Sequence, residues 1–322
     1  MPPLARCSAP AVAQGSSAVV AEIGAGLQAR RPHISPKYLY DTLGSRLFEA
    51  ICELDEYYPT RTEAAIFARH GEDIAACIGQ DISLIDLGAG NCAKAASLFP
   101  LLRPRQYVPL DISAEFLGEA VAGLQQRFPA IAMTPLGVDF SAGFQLPEHI
   151  SQARRVFFYP GSSIGNFSPP QAVGLLRNLR DNLGGDGGLL IGIDLVKQSS
   201  VLDAAYNDAL GVPAAFNLNL LRHVNRLAGA NFDLRQWQHC AYFDEAASRI
   251  EMHLQAQCDI TVRWQGGARQ FARGDRIHTE DSYKYTRSGF RQLLESAGFE
   301  AVQYWTDPAN WFAVLYARAV TR

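Results

Sequence analysis

The feature that most constrains this chain is an alternation that begins at Asp81, in which short and almost unbroken apolar runs are separated by segments with helical spacing. The runs are SLIDLGA (83–89), QYVPLDI (106–112), AMTPLGVDF (132–140), RVFFYPG (155–161) and GGLLIGIDL (187–195). Strands that are apolar on both faces signal a parallel sheet covered by helices on each side. The segments between them carry helix punctuation. Ser113 precedes Phe116, Leu117, Val121 and Leu124 at helical spacing, while Ser168 and Pro169 open a stretch with Val173, Leu176, Leu179 and Leu183 on one face, closed by Gly184 and Gly185. Strands and helices in this order predict a doubly wound α/β fold.

The alternation stops after Leu195. Residues 196–286 hold a helical stretch around Val201 to Asn231, then IEMHLQAQCDITVRW (250–264) and a segment ending HTEDSYKYT (278–286), the pattern of an α+β insertion. β character returns at the end, where EAVQYWT (300–306), a turn at Asp307-Pro308 and WFAVLYARA (311–319) predict an antiparallel hairpin. Residues 1–17 read as a disordered tail.

Composition narrows the function classes. The 29 basic and 32 acidic residues give a net charge of −3 with no lysine or arginine run, which argues against nucleic acid or an anionic membrane as partner. No segment approaches the roughly 18 apolar residues of a membrane span. The six cysteines form no C-x-x-C pair and the seven histidines show no metal-ligand spacing. The expectation is a cytoplasmic monomer that needs no metal and takes a small neutral or zwitterionic ligand.

The loop DLGAGNCA (86–93) follows the first predicted strand, and the missing side chains at Gly88 and Gly90 let backbone amides approach a ligand. Asp111 stands at the end of the next strand, roughly 20 residues on, where an acid meets a ribose; its other reading is a cap for the helix near Ser113. Asp139 and Phe140 end the third strand, offering an acid and a ring face to an adenine, or else a turn and a core aromatic. This loop satisfies a nicotinamide fingerprint as well as any other dinucleotide-type site, so a dehydrogenase stays open at this point.

Several strings together are more specific: YLYDTLGSRLFEAICELDEYYPTRTE (38–63), GAGNCAK (88–94), FFYPGSSIGNF (157–167), DAAYNDALGVPAAFN (203–217) and HTEDSYKYT (278–286). Over nearly the whole chain after residue 30 they resemble the histidine-specific S-adenosylmethionine (SAM) dependent N-α-methyltransferases of ergothioneine biosynthesis. The resemblance implies a Rossmann-like class I methyltransferase, mostly parallel with a C-terminal antiparallel hairpin, plus an α+β substrate-binding domain. It implies residues 61–196 and 287–322 for the first and 18–60 and 197–286 for the second. The implied reaction is trimethylation of the α-amino group of free L-histidine to hercynine. By matching motif, Gly88, Gly90, Lys94, Asp111, Asp139 and Phe140 are the implied SAM contacts. Tyr57, Asn166, Tyr206, Glu280 and Ser282 are the implied histidine site, with Tyr40 and Asn166 next to the reacting amine.

The chemistry of these residues suits an amino acid. The Asn166 amide and the Tyr206 hydroxyl are neutral donors for a carboxylate. Glu280 can accept an imidazole N–H while Ser282 addresses the other nitrogen, provided 278–284 is a strand, since alternate residues then share a side. Asp281, between them, adds a second carboxylate to the ring site if it points inward and leaves histidine selection intact if it points away. Another aromatic amino acid as acceptor, or a SAM-binding module without catalysis, remain the alternatives within this reading.

Overall fold

The computed structural model describes residues 16–140, 143–183 and 186–320. Most of the expected tail, residues 1–15, and the glycines 184 and 185 lie outside them. Ser16 and Ser17 are not part of a tail: the Ser16 hydroxyl accepts from Val19 N and starts helix α1 (Ser17–Gln28). Helices α2 (Thr42–Cys52) and α3 (Tyr58–Ile78) follow, and the chain then enters the alternating region. Its order is β1 (Ser83–Leu87), α4 (Ala93–Leu102), β2 (Gln106–Asp111), α5 (Ala114–Arg127), β3 (Ala132–Met133), β4 (Leu136–Gly137), β5 (Arg155–Tyr159), α6 (Pro169–Asp181) and β6 (Gly188–Asp194).

Strands β6, β5, β1, β2 and β3 are parallel neighbours in that order, with β4 also pairing β2. The order turns back on itself at β1, which lies between β2 and β5, so a crevice opens beyond the carboxyl end of β1 where open α/β sheets bind ligands. Alternate residues feed two cores. Leu84, Phe158 and Leu190 pack on one face, while Ile85, Phe157 and Leu189 pack on the other, as the two-residue period of a strand requires. The third apolar run forms only the two-residue strands β3 and β4, because Pro135 between them has no N–H for the ladder. Ser113 makes no side-chain capping bond; the carboxylate of Asp111 takes its N–H instead.

The segment after β6 builds a separate core. The expected long helix is two, α7 (Ser199–Ala204) and α8 (Val212–Ala228), separated by residues 205–211, with Gly211 at a φ of 74° leading into the second. Five antiparallel strands follow: β7 (Trp237–Asp244), β8 (Arg249–Ala256), β9 (Ile260–Trp264), β10 (Gly267–Phe271) and β11 (Arg276–Tyr283). Their order is β11-β8-β7 in one sheet and β10-β9 in another. Ile23, Leu27, Phe216, Leu220, Ile250, Met252 and Leu254 unite the N-terminal helices, α8 and these strands into one apolar cluster. The chain then returns through α9 (Arg287–Ala297), a helix the sequence reading did not anticipate. The expected hairpin β12 (Phe299–Thr306) and β13 (Phe312–Ala319) closes the main sheet, with β13 antiparallel to β6.

Candidate active site

At the end of β1 the backbone of Gly88 and Gly90 is left-handed, with φ of 67° and 52°, and a Cβ on Gly90 would meet nothing within 4 Å. Such a backbone costs an L-residue roughly 1–2 kcal/mol, so glycine here follows from the turn itself. Asp111, at the end of β2, accepts from Gly90 N on one oxygen and from Ser113 N on the other, each at 2.9 Å. Its cap role and its place beside the glycine turn are therefore both real. Phe140 lies over Gly88, its ring edge 4.0 Å from where a Cβ would be, and packs edge-on against Tyr159. Four of the six expected cofactor residues thus surround one turn.

The other two are tied to different groups. Lys94, the second residue of α4, donates to the fully buried Glu63 at 2.6 Å, and Glu63 takes Gly161 N with its other oxygen at 2.8 Å. Gly161 has a φ of 76° and would bring a Cβ to 3.2 Å from the Lys94 ammonium. This chain of contacts joins the glycine turn to the loop after β5. Asp139 faces the N-terminal segment, 3.6 Å from Lys37.

Gly161 also lines a cavity between the two cores. Its walls include all six residues expected at the amino-acid site: Tyr40, Tyr57, Asn166, Tyr206, Glu280 and Ser282. Tyr40 and Tyr57 come from the ends of turns before α2 and α3, and each packs edge-on against Phe48. Tyr206 follows α7 and meets Tyr57 edge to face, with centroids 6.4 Å apart. Burial pushes the phenol pKa values of Tyr40, Tyr57 and Tyr206 upward, the first two well above the ordinary range, so these hydroxyls stay protonated.

Asn166 ends a 3₁₀ turn, Ser163–Asn166, rather than the strand itself. A bulge at Thr279 in β11 sets the register that turns Glu280 and Ser282 toward the cavity, while Asp281 turns away to bond His278 at 2.9 Å and approach Arg249 at 3.3 Å. The open point about Asp281 is settled in favour of the outward orientation. One contact departs from expectation: Asn166 Nδ2 donates directly to Glu280 Oε1 at 2.8 Å. The sequence reading assigned these groups to opposite ends of a ligand. An amide carries two N–H bonds, so Asn166 keeps one for the cavity.

One wall of the cavity is backed by a buried ionic cluster that sequence reasoning missed, with Asp194 and Lys284 themselves among the lining residues. Asp194, at the carboxyl end of β6, accepts from Tyr58 Oη at 2.6 Å, Lys197 Nζ at 2.5 Å and Lys284 Nζ at 2.9 Å. Burial alone would raise the Asp194 pKa, but the two lysines hold it below the usual carboxylate value. Lys284 also donates to Ser282 Oγ at 2.8 Å and to Tyr206 Oη at 3.4 Å. The reverse outcome holds for Glu280: burial pushes its carboxyl up to about 7, with Lys284, His278 and Asn166 only partly opposing. The signal for Lys284 was present, since 280, 282 and 284 continue one alternation. Asp194 ends a strand just as Asp111 does.

The chain is similar over residues 19–319 to the family described as "Histidine-specific methyltransferase, SAM-dependent". It is 37% identical over 302 residues to the histidine N-alpha-methyltransferase of Mycolicibacterium smegmatis, covering 92% of this chain and 93% of that one. With the enzyme of that name from Mycobacterium tuberculosis it shares 35% identity over 320 residues, 94% of this chain and 95% of the relative. Ergothioneine biosynthesis protein 1 of Neurospora crassa is 31% identical over 290 residues, 86% of this chain and 32% of that longer protein.

Proposed function

The chain belongs to the histidine-specific, SAM-dependent methyltransferases, and from that premise we propose that it trimethylates the α-amino nitrogen of L-histidine to hercynine, a step of ergothioneine biosynthesis. Membership of this family sets aside the dehydrogenase that the glycine loop alone left open. The observation that carries the residue assignment is convergence: six side chains spread from Tyr40 to Ser282 line one cavity, and Gly161 links that cavity to the glycine turn.

The residues at the glycine turn fit an adenosyl group. Open space adjoins Gly90, the Phe140 ring offers an apolar wall, and the Asp111 carboxylate has lone pairs beyond the two it uses on the backbone. SAM, when bound, supplies a methyl group on a positive sulfonium. Residues 61–196 and 287–322 form the proposed donor-binding part, and 18–60 and 197–286 the proposed histidine-binding part.

The remaining work is binding and orientation. The second N–H of Asn166 and the Tyr206 hydroxyl are donors for the histidine carboxylate, and Glu280 and Ser282 take the two ring nitrogens. Because Tyr40 and Tyr57 are held protonated, they orient the amine through hydrogen bonds and do not act as bases. The ammonium sheds its proton to water; a nearby positive charge in a partly dry pocket lowers its pKa. Holding two reactants in register is worth an effective molarity of ~10⁵–10⁸ M, so alignment supplies much of the acceleration.

Incubation with SAM and a mixture of free amino acids, read by mass spectrometry, tests the proposal. Histidine carrying one, two and three methyl groups is the expected product set. Methylation of a different amino acid in preference to histidine, or no SAM-dependent product, overturns it.

A further inference from the structure

Lys284 differs from the other cavity-lining groups because an ammonium has three N–H bonds and no lone pair. Its three neighbours within hydrogen-bond distance are Asp194 Oδ2, Ser282 Oγ and Tyr206 Oη. The lysine side chain is 2% exposed and the Asp194 side chain 1%, so bulk solvent does not reach this ion pair. Burial disfavours the ammonium, yet the Asp194 carboxylate and the Tyr206 oxygen keep its pKa above the ordinary lysine value. Lys284 is therefore charged throughout the physiological range.

This has a directional consequence. A serine or tyrosine hydroxyl ordinarily donates or accepts as its partner requires. Here both hydroxyls face a group that only donates, so neither can send its proton to Lys284. Their two protons go to each other or into the cavity, and a ligand that offers each hydroxyl an acceptor draws both inward. Two residues away on the same face of β11, the Glu280 carboxylate, when ionised, only accepts. The strand then offers an O–H at Ser282 and lone pairs at Glu280.

We propose that Lys284 is a positioning residue that turns Ser282 and Tyr206 into donors toward the bound amino acid, so that the site selects a neutral imidazole with its bare nitrogen at Ser282 and its N–H at Glu280. The inference rests on the histidine reading above and adds to it the ring state and the residue that enforces it. An imidazolium has two N–H bonds and no bare nitrogen, so the Ser282 proton would find no acceptor on the ring. A buried polar group without its partner costs enough to reject a ligand strongly.

The test uses ring-¹⁵N-labelled L-histidine bound with S-adenosylhomocysteine, observed by NMR at pH 6, where the free ring, with a pKa of about 6.5, is largely protonated. In the wild-type complex one pyridine-type and one pyrrole-type nitrogen are expected; two pyrrole-type nitrogens overturn the proposal. A kinetic cycle gives the second readout. Lys284→Met is expected to raise KM for histidine about tenfold or more while changing KM for SAM less than about twofold, and to add less than about threefold in a Ser282→Ala background. Independent, multiplicative losses from the two substitutions, or equal losses for both substrates, overturn the role of Lys284. If Lys284→Met does not fold, the wild-type NMR measurement decides alone. A wild-type protein that neither binds nor methylates histidine fells the functional reading and this inference together, whereas one that methylates histidine but holds an imidazolium fells only the inference.

Discussion

Asn166 Nδ2 donates to Glu280 Oε1 over 2.8 Å, a bond between residues 114 positions apart that joins the turn after β5 to strand β11. It orients an acceptor that burial would otherwise leave costly, and it ties the proposed histidine-binding strand to the parallel sheet. Asn166→Asp replaces this donor by a second carboxylate at the same distance. Like charges so close do not both ionise, so one acid keeps its proton and the carboxylate arrangement at the ring is lost. The expected result is a rise of about a hundredfold in KM for histidine, equivalent to about 3 kcal/mol, against about tenfold for Asn166→Ala. Steady-state kinetics with each substrate varied in turn checks it; an unchanged histidine KM in Asn166→Asp refutes it.

Gly165 controls the same bond through backbone distance. A Cβ at this position would sit 2.8 Å from Tyr283 O and 3.2 Å from Tyr283 N, both backbone atoms of β11 that cannot swing aside. Gly165→Ala therefore pushes the 3₁₀ turn away from the strand and lengthens the Asn166–Glu280 contact. KM for histidine is expected to rise at least about tenfold, with SAM binding by calorimetry changed less than about twofold. A silent substitution would show that the turn gives way elsewhere.

The raised Glu280 carboxyl makes a prediction with opposite signs for affinity and stability. Its pKa is about 7 in the folded protein against 4.5 ordinarily, so between those values the native state keeps a proton that the unfolded chain releases. Stability from this group is complete below about pH 4.5 and is lost as the pH rises through about 7. Glu280→Gln cannot ionise, and is expected to unfold later than the wild type at pH 8, by about 1–3 kcal/mol, with the difference shrinking toward pH 4.5. The ionised form is the stronger acceptor of a ring N–H, so wild-type KM for histidine should fall from pH 6 to pH 8. Thermal melts and KM at both pH values check the pair; a variant that is no more stable at pH 8 shows that Glu280 is already ionised there without penalty.

The parallel sheet was legible because its strands are apolar on both faces, and Leu84 beside Ile85 can only mean burial on both sides. Helix α9 was missed although its signal was present: Phe290, Leu293, Leu294 and Ala297 recur at helical spacing between a Thr286 cap and Gly298, but the segment lies between two β-rich runs and was read with them. The candidate site was legible as residues but not as contacts. Asn166 and Glu280 belong to strings with no sequence relation to each other, and their bond depends on the close approach of Gly165 to Tyr283. The Asp194–Lys197–Lys284 cluster stayed hidden for a different reason: the alternation through Lys284 and the strand-end place of Asp194 hint at the cavity, but only the fold shows that the three charges are buried together.

Asp111 and Glu280 should divide the two substrates between them. Asp111 accepts from Gly90 N and Ser113 N, so truncating it to alanine removes a ligand contact and also frees the glycine turn that shapes the donor site. Asp111→Asn separates these effects, because its amide oxygen can still accept one backbone N–H while the negative charge is gone. SAM affinity is expected to fall about tenfold or more in Asp111→Ala and less in Asp111→Asn, with histidine KM nearly constant in both. Glu280→Ala should do the reverse, and should also narrow the preference for histidine over amino acids without a ring N–H, because a site built to pair that group loses its reason to reject others. Equal loss of both affinities in either variant, with the fold intact by circular dichroism, would mean that the two halves of the cavity respond as one unit and that the chain of contacts through Lys94, Glu63 and Gly161 couples them.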